Sequence, residues 1–389
     1  MSIIDRDAQY VWHPFTQYAT EGEMVHMVRG EGVWLYDDAG NRYMDVNGSW
    51  WVNLHGHSNP VITAAISEQA AALEHVIFAG VTHSPAVELA ERLVTKYPGL
   101  YAKCFYSDNG STAVEVALKL ALQFYHNSGH PRKRILALDG AYHGDTFGSM
   151  SVSHRGGFNT PFESMFFEVD YLPLPGDSTF DEQAALLDLS TYAGLIFEPM
   201  IQGAAGMRMY DPDEMQPFLE KCRDHGVFLI ADEVFTGFGR TGTFLATDQF
   251  QVKPDLVALS KGLTGGALPL GATLTTQRIF DAFLDPSKSR AFLHGHSFTA
   301  NPMACAAALA SLTLLEAAEC QSQIEMISDI HAERTGKLSS HRSLTNIGYC
   351  GTVSKMQLKA SDEGYYSSVR SKVYEYFMKK GLLLRPLGN

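Results

Sequence analysis

Between residues 106 and 276, short apolar runs alternate with segments of helical spacing, and this alternation constrains the fold more than any other feature. Such runs occupy residues 134–138, 193–197, 227–231 and 256–259. Strands that alternate with helices form a mainly parallel sheet with helices on both of its faces. The sequence therefore predicts an α/β fold with one large, mainly parallel sheet.

Two of the predicted strands end at side chains that are suited to covalent chemistry. Asp232 follows five apolar residues, and Lys261 follows the run 256–259 just before a glycine-rich loop. Open α/β sheets hold their ligands at the carboxyl ends of their strands. An amine and a carboxylate placed there are typical of a pyridoxal phosphate site, where the lysine forms a Schiff base and the aspartate keeps the pyridine nitrogen protonated. We therefore predict that Lys261 and Asp232 are catalytic.

The turn Asn109-Gly110-Ser111-Thr112 joins a short strand to a strongly helical segment. The free N–H groups at the start of a helix form an anion site. Gly110 allows the backbone to approach a ligand closely, and Ser111 and Thr112 offer hydroxyl groups. An ordinary helix cap is the alternative interpretation. Opposite a Schiff-base lysine, the turn is predicted to hold the phosphate of the cofactor.

Polar residues also follow two other predicted strands. Tyr142, His143 and Asp145 come after the run 134–138, and Glu198 ends the run 193–197. We predict that the Tyr142 ring stacks on a flat cofactor. His143 and Asp145 could be structural or catalytic, and residue type alone leaves both roles open.

Composition and charge exclude several other classes of protein. A formal charge of −13 argues against nucleic-acid and anionic-membrane partners. No apolar run approaches the roughly 20 residues needed to cross a bilayer, and the first residues lack the pattern of a signal peptide. The five cysteines are scattered without a Cys-x-x-Cys pair, as in proteins of a reducing compartment. We predict a cytoplasmic enzyme.

At 389 residues the chain exceeds one typical core, so a large and a small domain are expected. Residues 30–45 alternate around a turn and predict a hairpin, whereas residues 60–73 and 85–96 have helical spacing. A long buried helix is predicted after Asn301 and Pro302, and another near residues 367–380. The adjacent Trp50 and Trp51 are typical of a core pair; on the extended segment expected here they would point to opposite sides, so the alternative is that one ring faces a cavity.

Two patterns suggest other functions. Gly237, Gly239 and Gly242 match the dinucleotide motif G-x-G-x-x-G, but the residues that follow are a poor helix start, so the required context is missing. The His-Gly-His segments at 55–57 and 294–296 lack further ligands nearby, so no metal site is predicted. A nicotinamide-dependent oxidoreductase stays a competing interpretation that would tolerate loss of the Lys261 amine.

Taken together, four segments in this order resemble the fold-type I, class III (omega) aminotransferases over nearly the whole chain. The segments are Asn-Gly-Ser-Thr at 109–112, Tyr-His-Gly-Asp-Thr at 142–146, Ile-Ala-Asp-Glu-Val at 230–234 and Leu-Ser-Lys-Gly-Leu at 259–263. The resemblance implies a seven-stranded-type sheet in a large domain at 50–316. It also implies a small α+β domain formed by residues 1–49 and 317–389.

The resemblance also implies a role for each residue of the predicted site. Lys261 would carry pyridoxal 5'-phosphate and move the proton, and Asp232 would pair with the pyridine nitrogen. The remaining cofactor contacts would be Gly110, Ser111, Tyr142, His296 and Ser297, the last two from the partner subunit of a homodimer with shared active sites. The substrate contacts would be Phe15, Trp50, Tyr142, Lys261, Gly295 and Arg385, of which Arg385 would bind a substrate carboxylate through its fork.

Further segments, such as Trp-His-Pro-Phe-Thr-Gln at 12–17 and Ser-Trp-Trp at 49–51, resemble the members of the class that act in biotin biosynthesis. These members aminate 8-amino-7-oxononanoate with S-adenosylmethionine or lysine as donor, and the sequence does not decide between the donors. A diamine or 4-aminobutyrate transaminase and a non-catalytic scaffold on the same fold are the alternatives.

Three departures from the family pattern affect these implications. Phe15 stands where some members have a tyrosine, so the hydroxyl of that residue is missing here. His296 and Ser297 replace a Pro-Thr pair, which keeps a hydroxyl but changes the neighbouring surface. The family continues beyond the Arg-Pro stretch at 385–386, so part of the small domain and a substrate wall are unaccounted for.

Overall fold

The computed structural model describes residues 1–20, 22, 24–360 and 366–387. Its α-helices are α1 (Ile3–Tyr10), α2 (Gly48–Trp51), α3 (Pro60–Ala72), α4 (Ser84–Thr95), α5 (Gly110–Asn127), α6 (Phe147–Val152), α7 (Phe180–Ala185), α8 (Pro212–Asp224), α9 (Gln277–Asp281), α10 (Pro302–Glu316), α11 (Ala318–Leu338) and α12 (Ser368–Met378). Short 3₁₀ helices occur at Thr160–Met165, Leu189–Thr191, Ala246–Gln249, Lys261–Thr264 and Lys288–Arg290.

The strands are β1 (Met27–Glu31), β2 (Trp34–Asp37), β3 (Arg42–Asp45), β4 (Lys103–Ser107), β5 (Arg134–Leu138), β6 (Val169–Leu172), β7 (Tyr192–Phe197), β8 (Ile201–Gln202), β9 (Arg208–Met209), β10 (Phe228–Asp232), β11 (Leu256–Leu259), β12 (Gly271–Thr275), β13 (Leu344–Cys350), β14 (Val353–Leu358) and β15 (Leu382–Leu383). The apolar runs predicted as strands therefore form strands, with boundaries within a residue of those predicted.

The main sheet has seven strands in the order β4-β12-β11-β10-β7-β5-β6. Strands β11, β10, β7, β5 and β6 run parallel to one another, whereas β12 is antiparallel to both β11 and β4. The predicted mainly parallel α/β architecture is confirmed. Since β10 lies between β7 and β11, the residues that end these three strands meet at one edge of the sheet.

Both faces of this sheet are buried, which explains why its central strands are apolar throughout. Successive side chains of a strand point to opposite faces. Accordingly Leu229 and Ala231 of β10 pack in one core, while Phe228 and Ile230 pack in the other. The first core includes residues of α4, α8 and α10, and the second is covered by α5. The sheet is therefore the rigid middle layer that holds its strand ends in place.

A second, four-stranded sheet has the order β1-β2-β3-β15 and joins residues from both chain ends. Strands β2 and β3 form the predicted hairpin, and β15 pairs in parallel with β3. The hairpin of β13 and β14 packs against α11. These contacts are compatible with the predicted division at residues 49 and 316, which stays a prediction.

The segment that carries Trp50 and Trp51 is not extended, so that expectation was wrong. It forms α2, a single helical turn in which Ser49, Trp50 and Trp51 have φ values of 48°, 64° and 64°. Non-glycine residues rarely adopt this left-handed backbone conformation, and at a functional site it is held in place by surrounding contacts. Both indole rings consequently line one cavity instead of pointing to opposite sides.

The long helix predicted after Asn301 is α10, and Asn301 Oδ1 caps it by accepting the Ala304 N–H at 3.1 Å. Within the described residues no single helix is long and apolar enough to cross a membrane. The pair α10 and α11, bent by 67° at their junction, meets the criteria of length and composition jointly.

Candidate active site

One cavity of about 750 Å³ lies at the carboxyl edge of the main sheet and collects most of the predicted site residues. Its lining includes Phe15, Trp50, Trp51, Gly110, Ser111, Tyr142, His143, Asp145, Phe158, Glu198, Gly203, Asp232, Phe235, Lys261, Arg385 and Leu387. We use two names for parts of this cavity. The floor consists of His143, Glu198, Asp232 and Lys261, and the mouth consists of Phe15, Trp50, Phe158 and Arg385.

Lys261 stands two residues beyond β11 with φ of 47°, in the left-handed region. Its Nζ lies 5.3 Å from the centre of the Trp51 ring and 5.6 Å from that of Phe235, and it makes no hydrogen bond within the described part of the chain. Burial lowers the pKa of the amine, and the charges of Asp232 and Glu198 act in the opposite direction. The site therefore favours an amine that can lose its proton and act as a nucleophile or base.

Asp232 is the last residue of β10 and is 4% exposed. Its Oδ1 accepts the Val234 N–H at 3.1 Å, and its Oδ2 lies 2.7 Å from Nδ1 of His143. Since an ionised carboxylate can only accept, Nδ1 carries the hydrogen of this bond. His143 is buried, and its Nε2 has no partner among the described residues. This pair holds the Asp232 carboxylate in one orientation at the floor.

Glu198 directly follows β7 and is 3% exposed. Its Oε1 accepts the Tyr142 N–H at 2.9 Å, and its Oε2 accepts the Gly203 N–H at 2.8 Å. Burial raises the pKa of the carboxyl to about 7. The Tyr142 hydroxyl donates to Asp145 Oδ2 at 2.9 Å, which fixes the phenol ring from its other end.

The predicted anion turn is the amino terminus of α5. The Asn109 side chain caps this helix by accepting the Thr112 N–H, and the Thr112 hydroxyl accepts the Asn109 N–H in return. Contrary to the expectation from sequence, the Thr112 hydroxyl is therefore not available to a ligand. The N–H groups of Gly110 and Ser111 have no partner among the described residues and, with the helix dipole, suit an anion. A Cβ on Gly110 would lie 2.6 Å from Val234 Cγ1, so only glycine fits here.

The mouth is built from both chain ends and is more exposed than the floor. The rings of Phe15 and Trp50 meet edge to face at 5.5 Å, and Phe158 lies 6.1 Å from Phe15. The Arg385 guanidinium lies 5.4 Å from the centre of the Trp50 ring and donates to the Phe15 carbonyl at 3.0 Å. These contacts hold the Arg385 guanidinium beside apolar side chains.

Three predicted residues do not line the cavity of their own chain. Gly295 and Ser297 are exposed, and His296 is half-buried with its Nδ1 2.9 Å from Asp108 Oδ2. For His296 and Ser297 this position agrees with a role in a partner subunit, and that role stays a prediction. The substrate contact expected of Gly295 has no counterpart in its own chain.

Sequence reasoning missed several cavity residues. Glu198 is one of them, although an acidic residue directly after a fully apolar strand is a usable sequence signal. Phe235 and Phe158 carried no such signal, because they reach the cavity from loops. The glycines at 237–242 lie in a loop, and the next regular element is the short 3₁₀ helix Ala246–Gln249, so the dinucleotide motif indeed lacks its helix.

Comparisons with known proteins identify the family. The model of the class-III aminotransferases matches residues 17–389. Adenosylmethionine-8-amino-7-oxononanoate aminotransferase of Synechococcus elongatus is 46% identical, covering 98% of this chain and 92% of the relative. The protein of the same name from Geobacter sulfurreducens is 38% identical, covering 100% and 91%.

Solved structures agree with this assignment. The crystal structure of adenosylmethionine-8-amino-7-oxononanoate aminotransferase from Methanocaldococcus jannaschii superimposes with a TM-score of 0.94 at 34% identity, covering 99% of this chain and 92% of the other. An amine transaminase from an uncultivated Pseudomonas species, in its pyridoxal-phosphate-bound form, gives 0.90 at 33% identity, covering 98% and 92%.

The chain therefore belongs to the class-III aminotransferases. It is an aminotransferase, and its cofactor is pyridoxal 5'-phosphate, as predicted. The cavity fits this cofactor: it offers the Lys261 amine, a buried carboxylate at Asp232 and, at the start of α5, two N–H groups that have no partner among the described residues. The aromatic side chain of Tyr142 lines the same cavity.

Proposed function

We propose that this enzyme transfers an amino group to 8-amino-7-oxononanoate and forms 7,8-diaminononanoate, a step of biotin biosynthesis, with S-adenosyl-L-methionine as the amino donor. The names of the relatives from Synechococcus elongatus and Methanocaldococcus jannaschii support this choice of substrates, because the chain covers nearly all of each relative.

The observation that carries the proposal is the Arg385 guanidinium in the same cavity as the Lys261 amine. An acceptor with a carboxylate at one end and a ketone near the other end needs a cation and a reactive centre joined by apolar walls. Phe15, Trp50 and Phe158 supply such walls between the two groups. Arg385 is positioned to form a bidentate pair with the carboxylate.

We assign the chemical work to the floor. Asp232, oriented by His143, would hold a protonated ring nitrogen of the cofactor, and Gly110 and Ser111 would hold its phosphate. When bound, pyridoxal phosphate withdraws the electron pair that remains when a substrate carbon loses its proton. The Lys261 amine, its pKa lowered by burial, takes that proton and returns it during each half of the reaction.

A donor screen tests the proposed function. Purified protein with pyridoxal phosphate and 8-amino-7-oxononanoate is given S-adenosylmethionine, lysine, a diamine or 4-aminobutyrate, and the product is identified by mass. We expect 7,8-diaminononanoate with S-adenosylmethionine. If 7,8-diaminononanoate forms with lysine but not with S-adenosylmethionine, the amino donor is lysine. Turnover of 4-aminobutyrate without any amination of the oxononanoate would refute the proposed acceptor.

We further propose a homodimer in which His296 and Ser297 of each chain complete the site of its partner. Ser297 is exposed, and neither His296 nor Ser297 lines the cavity of its own chain, which supports this arrangement. Light scattering should give a dimer mass. In a mixed dimer of a Lys261→Ala chain and a Ser297→Ala chain, one of the two shared sites keeps both residues, so the mixture should be more active than either variant alone. No gain in activity on mixing would contradict shared sites.

The cytoplasm is the compartment that we propose for this reaction. All five cysteines lie in the described part of the chain, and none is paired in a disulfide there. Unpaired cysteines are usual where thiols are kept reduced. Fractionation of cells that express the protein would test this location.

A further inference from the structure

Glu198 joins two parts of the cavity wall that are distant in sequence. Tyr142, which donates its N–H to Oε1, lies 56 residues before Glu198, whereas Gly203, which donates to Oε2, lies five residues after it. Each carboxylate oxygen therefore binds one backbone donor. Because the side chain stands on the end of a central parallel strand, both loops are tied to the most rigid layer of the molecule.

Several ionisable groups face Glu198 from every element around it. They are His143 and Tyr142 after β5, Asp232 on β10, Lys261 after β11, and Tyr210, whose hydroxyl donates to the Glu198 carbonyl at 2.8 Å. The charge of Glu198 and that of Asp232 both favour the protonated form of Lys261. The floor thus holds two carboxylates for one amine, whereas the function proposed above gives a role only to Asp232.

The carboxylate form of Glu198 is opposed by some neighbours and favoured by others. Burial is the largest influence and raises its pKa to about 7, and the charge of Asp232 adds to this effect. His143 and the two backbone donors lower the pKa. The ionised form of Glu198 therefore depends on His143 and on the two backbone donors, which oppose the effect of burial.

We propose that Glu198 is a positioning residue of the transamination site, which as a carboxylate fixes Tyr142 and the loop at Gly203 and places a second negative charge beside the Lys261 nitrogen. This role rests on the proposed use of Lys261 as the residue that carries the cofactor. With Glu198 ionised, the Lys261 nitrogen keeps its proton to a higher pH than Asp232 alone would allow.

Spectral titration of the cofactor-loaded protein tests the role of Glu198. Bound pyridoxal phosphate absorbs visible light in a manner that depends on the proton of the nitrogen to which it is attached. We expect Glu198→Gln to lower the pH midpoint of this absorption by about one unit, because one nearby negative charge is lost. Glu198→Asp keeps the charge, so its midpoint should stay within about 0.3 units of the wild type.

Glu233 provides the matched control. It is also fully buried and binds the backbone N–H groups of Ala246 and Thr247, at 3.0 and 2.8 Å, but it does not line the cavity. Glu233→Gln should leave the midpoint unchanged. An unchanged midpoint in Glu198→Gln, or an equal shift in Glu233→Gln, would overturn the proposal.

Two further outcomes keep the test decisive. If Glu198→Gln does not bind the cofactor, Glu198→Asp provides the test, because this variant keeps the charge. A midpoint that falls by a full unit in Glu198→Asp would contradict the role of the charge. If the wild-type protein itself develops no visible absorption with pyridoxal phosphate, the assignment of Lys261 fails, and that failure is distinct from failure of the Glu198 role.

Discussion

The floor and the mouth of the cavity are built in different ways. Three floor residues, Glu198, Asp232 and Lys261, lie at the carboxyl end of a strand in the main sheet or within two residues of it, and Asp232 and Glu198 are 4% and 3% exposed. The mouth residues come from chain ends and loops, and Phe15 and Trp50 are 41% and 39% exposed. Rigid strand ends suit the chemistry, which tolerates little displacement, whereas the less buried mouth suits recognition of the substrate.

This difference predicts that floor substitutions lower kcat and that mouth substitutions raise KM. A group that acts on the reacting atoms is needed in the transition state, whereas a group that holds a distant carboxylate binds ground state and transition state alike.

The largest effect is expected at Lys261. Lys261→Ala should lower kcat by at least about a thousandfold, because it removes both the attachment point of the cofactor and the proton carrier. The melting temperature should not fall, since the amine is buried without a hydrogen bond to any described residue. Steady-state kinetics and thermal unfolding of the same preparation check both statements, and retained turnover would remove Lys261 from the mechanism.

A second prediction concerns the stability cost of the floor. The pKa of Glu198 is raised from 4.5 to about 7, so its buried form binds a proton more tightly than the unfolded chain does. Its contribution to stability is therefore full below about pH 4.5 and is lost as pH rises through about 7. As pH rises from about 4.5 to about 7, the unfolding free energy of Glu198→Gln should increase by on the order of 3 kcal/mol relative to that of the wild type.

Denaturant unfolding of the cofactor-free protein at several pH values measures this gain. Arg385→Lys, at the mouth, is the control, and its stability should follow the pH dependence of the wild type. If the unfolding free energies of Glu198→Gln and of the wild type depend on pH in the same way, burial of the Glu198 carboxyl does not lower stability.

The floor was largely predictable from sequence, and the reason is local. A buried parallel strand is continuously apolar, so β5 (Arg134–Leu138) and β11 (Leu256–Leu259) were predicted with their observed bounds, and the residues after such runs must lie at the sheet edge. The bond between Glu198 and the Tyr142 N–H depends on the order of β5 and β7 in the sheet, which no local pattern contains.

The mouth was less predictable from residue patterns: Phe15 and Arg385 follow only from the family resemblance, and Phe158 was missed. The left-handed turn at Trp50 is imposed by tertiary contacts, and it overrode the extended geometry expected from sequence. Arg385 reaches Phe15 across 370 residues. Contacts of this kind follow from the packing of both chain ends into one sheet, which local propensities do not specify.

At the mouth, the larger effect is expected for Arg385→Lys. A lysine lacks the planar fork and stacks less well on Trp50, so the KM for 8-amino-7-oxononanoate should rise about tenfold while kcat changes little. Arg42→Lys is a matched control, because Arg42 also stacks on a tryptophan, Trp34, at 4.5 Å but lies outside the cavity lining. A fall in kcat without a change in KM would place Arg385 with the floor.

The smallest effect is expected at Phe15, whose edge contact with Trp50 is worth about 0.5–1.5 kcal/mol. Phe15→Ala should raise the KM for the oxononanoate about threefold, whereas Phe15→Leu, which keeps apolar bulk, should stay within about twofold. Phe15→Tyr adds a hydroxyl at this position. If this residue acts only as an apolar wall, the tyrosine variant should match the wild type with every donor. A gain confined to S-adenosylmethionine would instead mean that the mouth also selects the donor, and the division between a chemical floor and a recognising mouth would then extend to both halves of the reaction.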